Sequence, residues 1–84
     1  MNERRKKLCF RAWRRGFREI DLILGRFADL HVAAMSVEDL DAFELLLDAP
    51  DQDVYSWVAL GAEAPPEHKR MADVIRAGLA GGGL

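Results

Sequence analysis

The fold is decided by the stretch FREIDLILGRFADLHVAA, residues 17–34. Within it Ile20, Ile23, Leu24, Phe27 and the Leu30/His31 pair recur at three- and four-residue spacing. That is the period of one face of an α-helix. Glu19 and Asp21 stand in its first turn, where the positive end of the helix dipole favours acids. Strand signals are nearly absent: β-branched residues are scattered and no stretch alternates over several residues.

Helical spacing continues on both sides. Toward the N-terminus, about Asn2 to Arg15, Leu8 and Ala12 share a face and Cys9/Trp13 another. Two arginines and then Gly16 make a helix C-terminus pattern. Downstream, Ser36 offers an N-cap followed by Glu38 and Asp39, and Val37, Leu40, Phe43 and Leu47 repeat as a core face until Pro50. Asp51 is read as the N-cap of a short fourth helix with Val54, Trp57 and Val58 inward and Gly61 ending it. After the stiff Glu63–Pro66 connector, Pro66 opens a fifth helix striped by Met71, Val74, Ile75 and Leu79. The expectation is all-α: a compact bundle of about five short helices. Residues 1–80 are read as one helical domain and 81–84 as a flexible glycine-rich tail.

The 84 residues carry a formal net charge of −2, which hides a split. Residues 1–26 hold nine Lys/Arg against three acids, a formal +6, and residues 27–84 hold three Lys/Arg against eleven acids, a formal −8. A basic head is joined to an acidic body. This pattern opens one alternative function, a small helical nucleic-acid-binding regulator using the basic N-terminal head, with Arg14, Arg15 and Arg18 on phosphates. Two features oppose that reading. The acidic body would repel nucleic acid, and the second helix is too apolar to read bases, with Asp21 and Asp29 on its accessible face.

Enzyme signatures are weak. Ser36 and Ser56 lie in no nucleophile elbow, and the glycine tail follows no strand and precedes no lysine. Neither His31 nor His68 has a partner at zinc spacing, so no metal site is expected. His31 reads as a half-buried or capping residue and His68 as a surface residue. The lone Cys9 allows no internal disulfide and fits a reducing compartment. No apolar run approaches the roughly 20 residues of a membrane span. Arg4-Arg5 is followed by no apolar signal region, so a cytoplasmic location is expected.

The most informative stretch is Ala12 to Asp21, which sets Gly16 at a helix–helix corner among charges. Gly16 is read as a left-handed cap with no side chain, open to a partner backbone. Arg15 offers bidentate bonds to a carboxylate or phosphate, and Glu19 lies one turn on. The same residues also suit a purely structural reading, in which they complement helix dipoles and cap.

At this point the sequence resembles a known family. Arg15-Gly16-Phe17-Arg18-Glu19 matches the Arg-Gly-x-x-Glu motif of the succinate dehydrogenase assembly factor 2 family, the flavinylation factors called SdhE in bacteria. Leu40–Leu47 looks like the family's third helix, and Pro50-Asp51-Gln52-Asp53-Val54-Tyr55-Ser56-Trp57 like its Pro-Asp-x-Asp-Leu-x-x-Trp segment. Gln52 stands where proline is common, which bears on the fourth helix start and not on the motif. The resemblance implies a five-helix, non-enzymatic assembly factor. Its partner would be the flavoprotein subunit of succinate dehydrogenase, and in some members that of fumarate reductase. It would promote covalent attachment of FAD to that client while binding no cofactor stably itself. Arg14, Arg15, Gly16, Arg18, Glu19 and Asp21 are the expected partner-binding residues, and the free protein is expected to be a monomer.

Overall fold

A computed structural model describes residues 1–81. Its elements in chain order are α1 (Glu3–Ala12), α2 (Arg18–His31), a 3-10 turn (Val32–Ala34), α3 (Val37–Leu47), α4 (Asp51–Val58) and α5 (Pro66–Ala80). The architecture is all-α, with no strand among the described residues. Of the expected tail, Gly81 follows α5 as its C-cap, and residues 82–84 lie outside the described residues.

The helix starts follow local chemistry. Asn2 Oδ1 accepts from the Arg5 amide at 2.9 Å to start α1, and Ser36 Oγ accepts from the Asp39 amide at 3.1 Å to start α3. Pro66 takes the first position of α5. Asp51 differs from its reading. It is the first residue of α4, Pro50 holds the cap position without a side-chain bond, and the Asp51 carboxylate is engaged elsewhere.

The helix ends are shorter than their periodicity suggested. α1 stops at Ala12, with Trp13 as its C-cap. α2 stops at His31, where the chain tightens into the 3-10 turn, and Arg5 caps the carbonyls beyond it. Its guanidinium donates to Val32 O at 2.6 Å and Met35 O at 2.9 Å.

One core joins all the helices: Leu8 and Ala12 of α1, Ile20, Leu24 and Phe27 of α2, Leu40, Phe43, Leu46 and Leu47 of α3, Val54 and Val58 of α4, and Met71, Ala72 and Ile75 of α5. The Phe27 and Phe43 rings meet at 5.6 Å at its centre. Each of the larger side chains, Val, Leu, Ile, Phe or Met, contributes roughly 1.5–3 kcal/mol on burial. Val37, Val74, Leu79 and Leu30 are exposed instead of forming core face. Val37 opens its helix, Leu79 sits in the last turn of α5, and Val74 lies off the face formed by Met71, Ala72 and Ile75.

Candidate functional site

Residues 13–17 form the turn from α1 to α2, and the side chains of this corner alternate between inward and outward roles. Trp13 lies flat over Gly25, whose missing Cβ would overlap the indole. Its Nε1 donates to Asp29 Oδ2 at 3.1 Å. Arg14 turns out, exposed, with its guanidinium 4.1 Å above the ring of Phe10.

Arg15 turns in. Its side chain is 8% exposed. It donates to Leu47 O at 2.5 Å and Ala49 O at 3.0 Å, where α3 ends and leaves carbonyls without amide partners. Its Nε stands 2.8 Å from Asp51 Oδ1, an electrostatic contact without hydrogen-bond alignment. The Arg15 amide donates to Asp21 Oδ1 at 2.6 Å, which ties the turn to the first turns of α2. The Arg15 guanidinium is therefore occupied within the fold, with the geometry of a helix cap and not of a free bidentate donor.

Gly16 is exposed, but its backbone is not left-handed, since the sole positive φ among the described residues is that of Gly61, at 78°. What glycine leaves here is space: a Cβ at Gly16 would stand 2.5 Å from Asp51 Oδ2, and the carboxylate end would have to turn aside. Phe17 caps α2 and meets Tyr55 of α4 edge to face at 5.2 Å. Arg18 and Glu19 follow, both exposed, and Asp21 is half-buried. Arg14, Gly16, Arg18 and Glu19 thus make an outward surface. Arg15 and Asp21 make the internal brace that holds it.

Sequence reasoning missed the partners of that brace. Asp51 and Tyr55 come from α4, some 35 residues beyond Arg15 and Phe17. The Pro50-Asp51 step and its match to the Pro-Asp-x-Asp segment were the available signal. The charge split is likewise used within the molecule. Arg4 pairs with Asp41 at 2.6 Å and Glu44 at 2.8 Å, and Arg11 pairs with Asp48 at 2.7 Å, so the basic α1 is stitched to the acidic α3. Hydrogen bonding to Asp41 and then Glu44 moves the Arg4 guanidinium still further above its usual range. Among the described residues Arg5, Lys6, Lys7, Arg14, Arg18 and Arg26 make no ion pair, and Arg5 donates to the Val32 and Met35 carbonyls, so five of the head's nine cations stay outside both kinds of contact.

The histidines exchange expected places. His31 is exposed, tilted against Phe27 at 4.7 Å, and His68 is half-buried, stacked on Trp57 at 5.1 Å. Among the described residues no three His, Cys, Asp or Glu side chains are grouped to hold a metal ion. Cys9 is half-buried with Sγ 3.7 Å from Ala28 O, and burial, with Asp29 nearby, pushes its thiol up. No helix among the described residues is long and apolar enough to cross a membrane.

Comparison with known proteins places this corner in a family context. Residues 6–78 match the family model described as Sdh5, flavinator of succinate dehydrogenase. Similar proteins include three named succinate dehydrogenase assembly factor 2, mitochondrial. That of Dictyostelium discoideum is 41% identical over 63 residues, 75% of this chain and 45% of that protein. That of Debaryomyces hansenii is 38% identical over 63 residues, 75% and 44% of the two chains. That of Lodderomyces elongisporus is 36% identical over 70 residues, 83% and 43%. The chain thus matches less than half the length of these curated relatives.

Proposed function

The chain belongs to the Sdh5 family, the flavinators of succinate dehydrogenase, and from that premise we propose that it binds the flavoprotein subunit of succinate dehydrogenase and promotes covalent attachment of FAD there. One observation carries the reading. The Arg15-Gly16-Phe17-Arg18-Glu19 motif folds into a corner whose inner residues brace it on α3 and α4, while Arg14, Gly16, Arg18 and Glu19 face outward.

The outward residues would contact the client. Arg14 and Arg18 meet carboxylates, Glu19 meets a backbone amide or an arginine, and Gly16 lets a client backbone approach. Arg15 and Asp21 serve binding by fixing the corner's shape. No catalytic group is required of this chain. A partner that prefers the attachment-competent conformer of the client by about 3 kcal/mol raises a population of about 1% to a majority. FAD is the client's cargo, and no stable cofactor site is assigned here. Fumarate reductase as a second client, a monomeric free state and a cytoplasmic location belong to the same proposal.

The test is reconstitution. The flavoprotein subunit is purified from cells lacking this protein, supplied with FAD, and covalent flavin is followed by fluorescence in a denaturing gel. Adding the protein should raise the rate or yield. Arg14→Glu with Arg18→Glu should abolish the gain without changing the helical circular dichroism, and Gly16→Arg should do the same by displacing Asp51. Equal flavin with and without the protein would reject the reading.

A further inference from the structure

The corner is too small to be a whole interface. A stable protein–protein contact covers about 800 Å² and some 20–30 residues on each partner, and the outward corner supplies four residues. The surface must continue past it, and on one side it meets a concavity. The turn after α3 is shared: Leu47 and Ala49 give their carbonyls to Arg15, and Asp51 abuts Gly16. Ala49 and Pro50 of the same turn form one wall of a groove of about 370 Å³ between α3, α4 and the start of α5.

We propose that this groove takes a segment of the client flavoprotein in which an apolar side chain is flanked by Lys or Arg. The proposal rests on the client assignment above and extends it to a second contact. The chemistry of the lining selects the occupant. Leu45, which is 47% exposed, joins Trp57 and Pro65 in an apolar floor. Asp53 and Glu67 stand at the rim and make no ion pair among the described residues. Each also faces the N-terminus of its own helix, whose dipole offsets about half a charge, and the rim stays acidic. His68 also lines the groove, stacked on Trp57 at 5.1 Å, and its buried Nδ1 has no hydrogen-bond partner among the described residues.

The two contacts have opposite signs. The corner presents Arg14 and Arg18, and the groove presents Asp53 and Glu67, on either side of one turn. A client with the complementary order, acid then base, is held in one orientation and the reverse order is repelled.

The experiment titrates the purified flavoprotein subunit with the full chain and with variants, by calorimetry. Asp53→Lys with Glu67→Lys should weaken binding by at least about tenfold. Leu45→Ser should weaken it severalfold. Should the charge reversal disturb folding by circular dichroism, Asp53→Asn with Glu67→Gln keeps shape and should still weaken binding about threefold or more. Groove variants that bind like the unaltered chain, while Arg14→Glu/Arg18→Glu binds poorly, would overturn the groove and leave the client assignment standing. An unaltered chain that does not bind the subunit would overturn both. Groove variants that abolish self-association of this chain without changing client affinity would also overturn the proposal, by assigning the groove to a second copy.

Discussion

Arg11 and Arg15 stand four residues apart, and each reaches an aspartate beyond the end of α3. Arg11 meets Asp48 at 2.7 Å and Arg15 lies 2.8 Å from Asp51. The distances are nearly equal and the physics is not. Arg11 and Asp48 are 38% and 62% exposed, whereas Arg15 and Asp51 are 8% and 27% exposed. Arg15 also satisfies the carbonyls of Leu47 and Ala49. A pair in water contributes about 0–1 kcal/mol because solvent screens it and ordering two long side chains costs entropy. Losing one partner of a buried pair costs more, because the groups left behind are desolvated and unpaired. Within one basic head, burial and bond number rank the arginines, and charge does not.

The largest effect should therefore fall on Arg15. Arg15→Gln leaves the Asp51 carboxylate and two carbonyls short of partners and should cost about 2–4 kcal/mol. For a domain of this size that lowers Tm by roughly 10–25 °C, measured by circular dichroism. A loss no larger than that of Arg11→Gln would erase the contrast.

That contrast also marks what was legible in the sequence. The helix count, the Ser36 cap, Pro66 at the start of α5 and most of α2's inner face follow from local pattern, and the structure has them. The corner's position was legible too, because Gly16 breaks the pattern between two periodic segments. Which corner residues turn inward was not legible. That depends on Asp51, Leu47 and Ala49, which only the docking of α3 and α4 brings to Arg15. For the same reason the pattern points to a left-handed backbone at Gly16, whereas the structure sets it beside the Asp51 carboxylate. The +6 and −8 halves suggest a surface for a partner, and the structure uses part of that charge internally, Arg4 and Arg11 pairing with Asp41, Glu44 and Asp48.

The two glycines sharpen the comparison at the next magnitude. A Cβ at Gly25 runs into the flat Trp13 indole, and one at Gly16 runs into the end of the Asp51 carboxylate. The indole must shift as a whole ring and give up its packing on Gly25 and its bond to Asp29, and Gly25→Ala should cost about 1–3 kcal/mol as an overpacking. A carboxylate can turn, so Gly16→Ala should cost less in denaturant unfolding while still slackening the brace. Equal midpoints for the two variants would mean that Trp13 is as mobile as Asp51.

Arg11→Gln comes next. Its expected cost is about 0–1 kcal/mol at low salt, shrinking toward zero at 1 M salt, where the screening length is about 3 Å. The Arg15→Gln deficit should persist at that salt, because water and ions reach the pair poorly. Parallel salt dependences for the two variants would place both pairs in the same environment.

The smallest effect tests the exposed end of the scale on a different helix. Asp73 of α5 accepts from Lys69 at 3.1 Å and from Arg76 at 2.8 Å, with all three side chains about half exposed. The Lys69 hydrogen bond, then the nearby charges of Lys69 and Arg76, hold its carboxyl below the usual range. The folded state thus prefers the charged form more than the unfolded chain does. The stabilisation is present above the ordinary aspartate value, about 3.9, and is lost as pH falls through the lower folded value. Asp73→Asn should be slightly less stable than the unaltered chain at pH 7, and the two should converge in acid, as read from denaturant midpoints between about pH 2 and 7. A gap that stayed constant down to pH 2 would show that the asparagine differs by helix packing and not by charge. A gap at pH 7 as large as that of Arg15→Gln would show that exposure does not set the value of an ion pair in this protein.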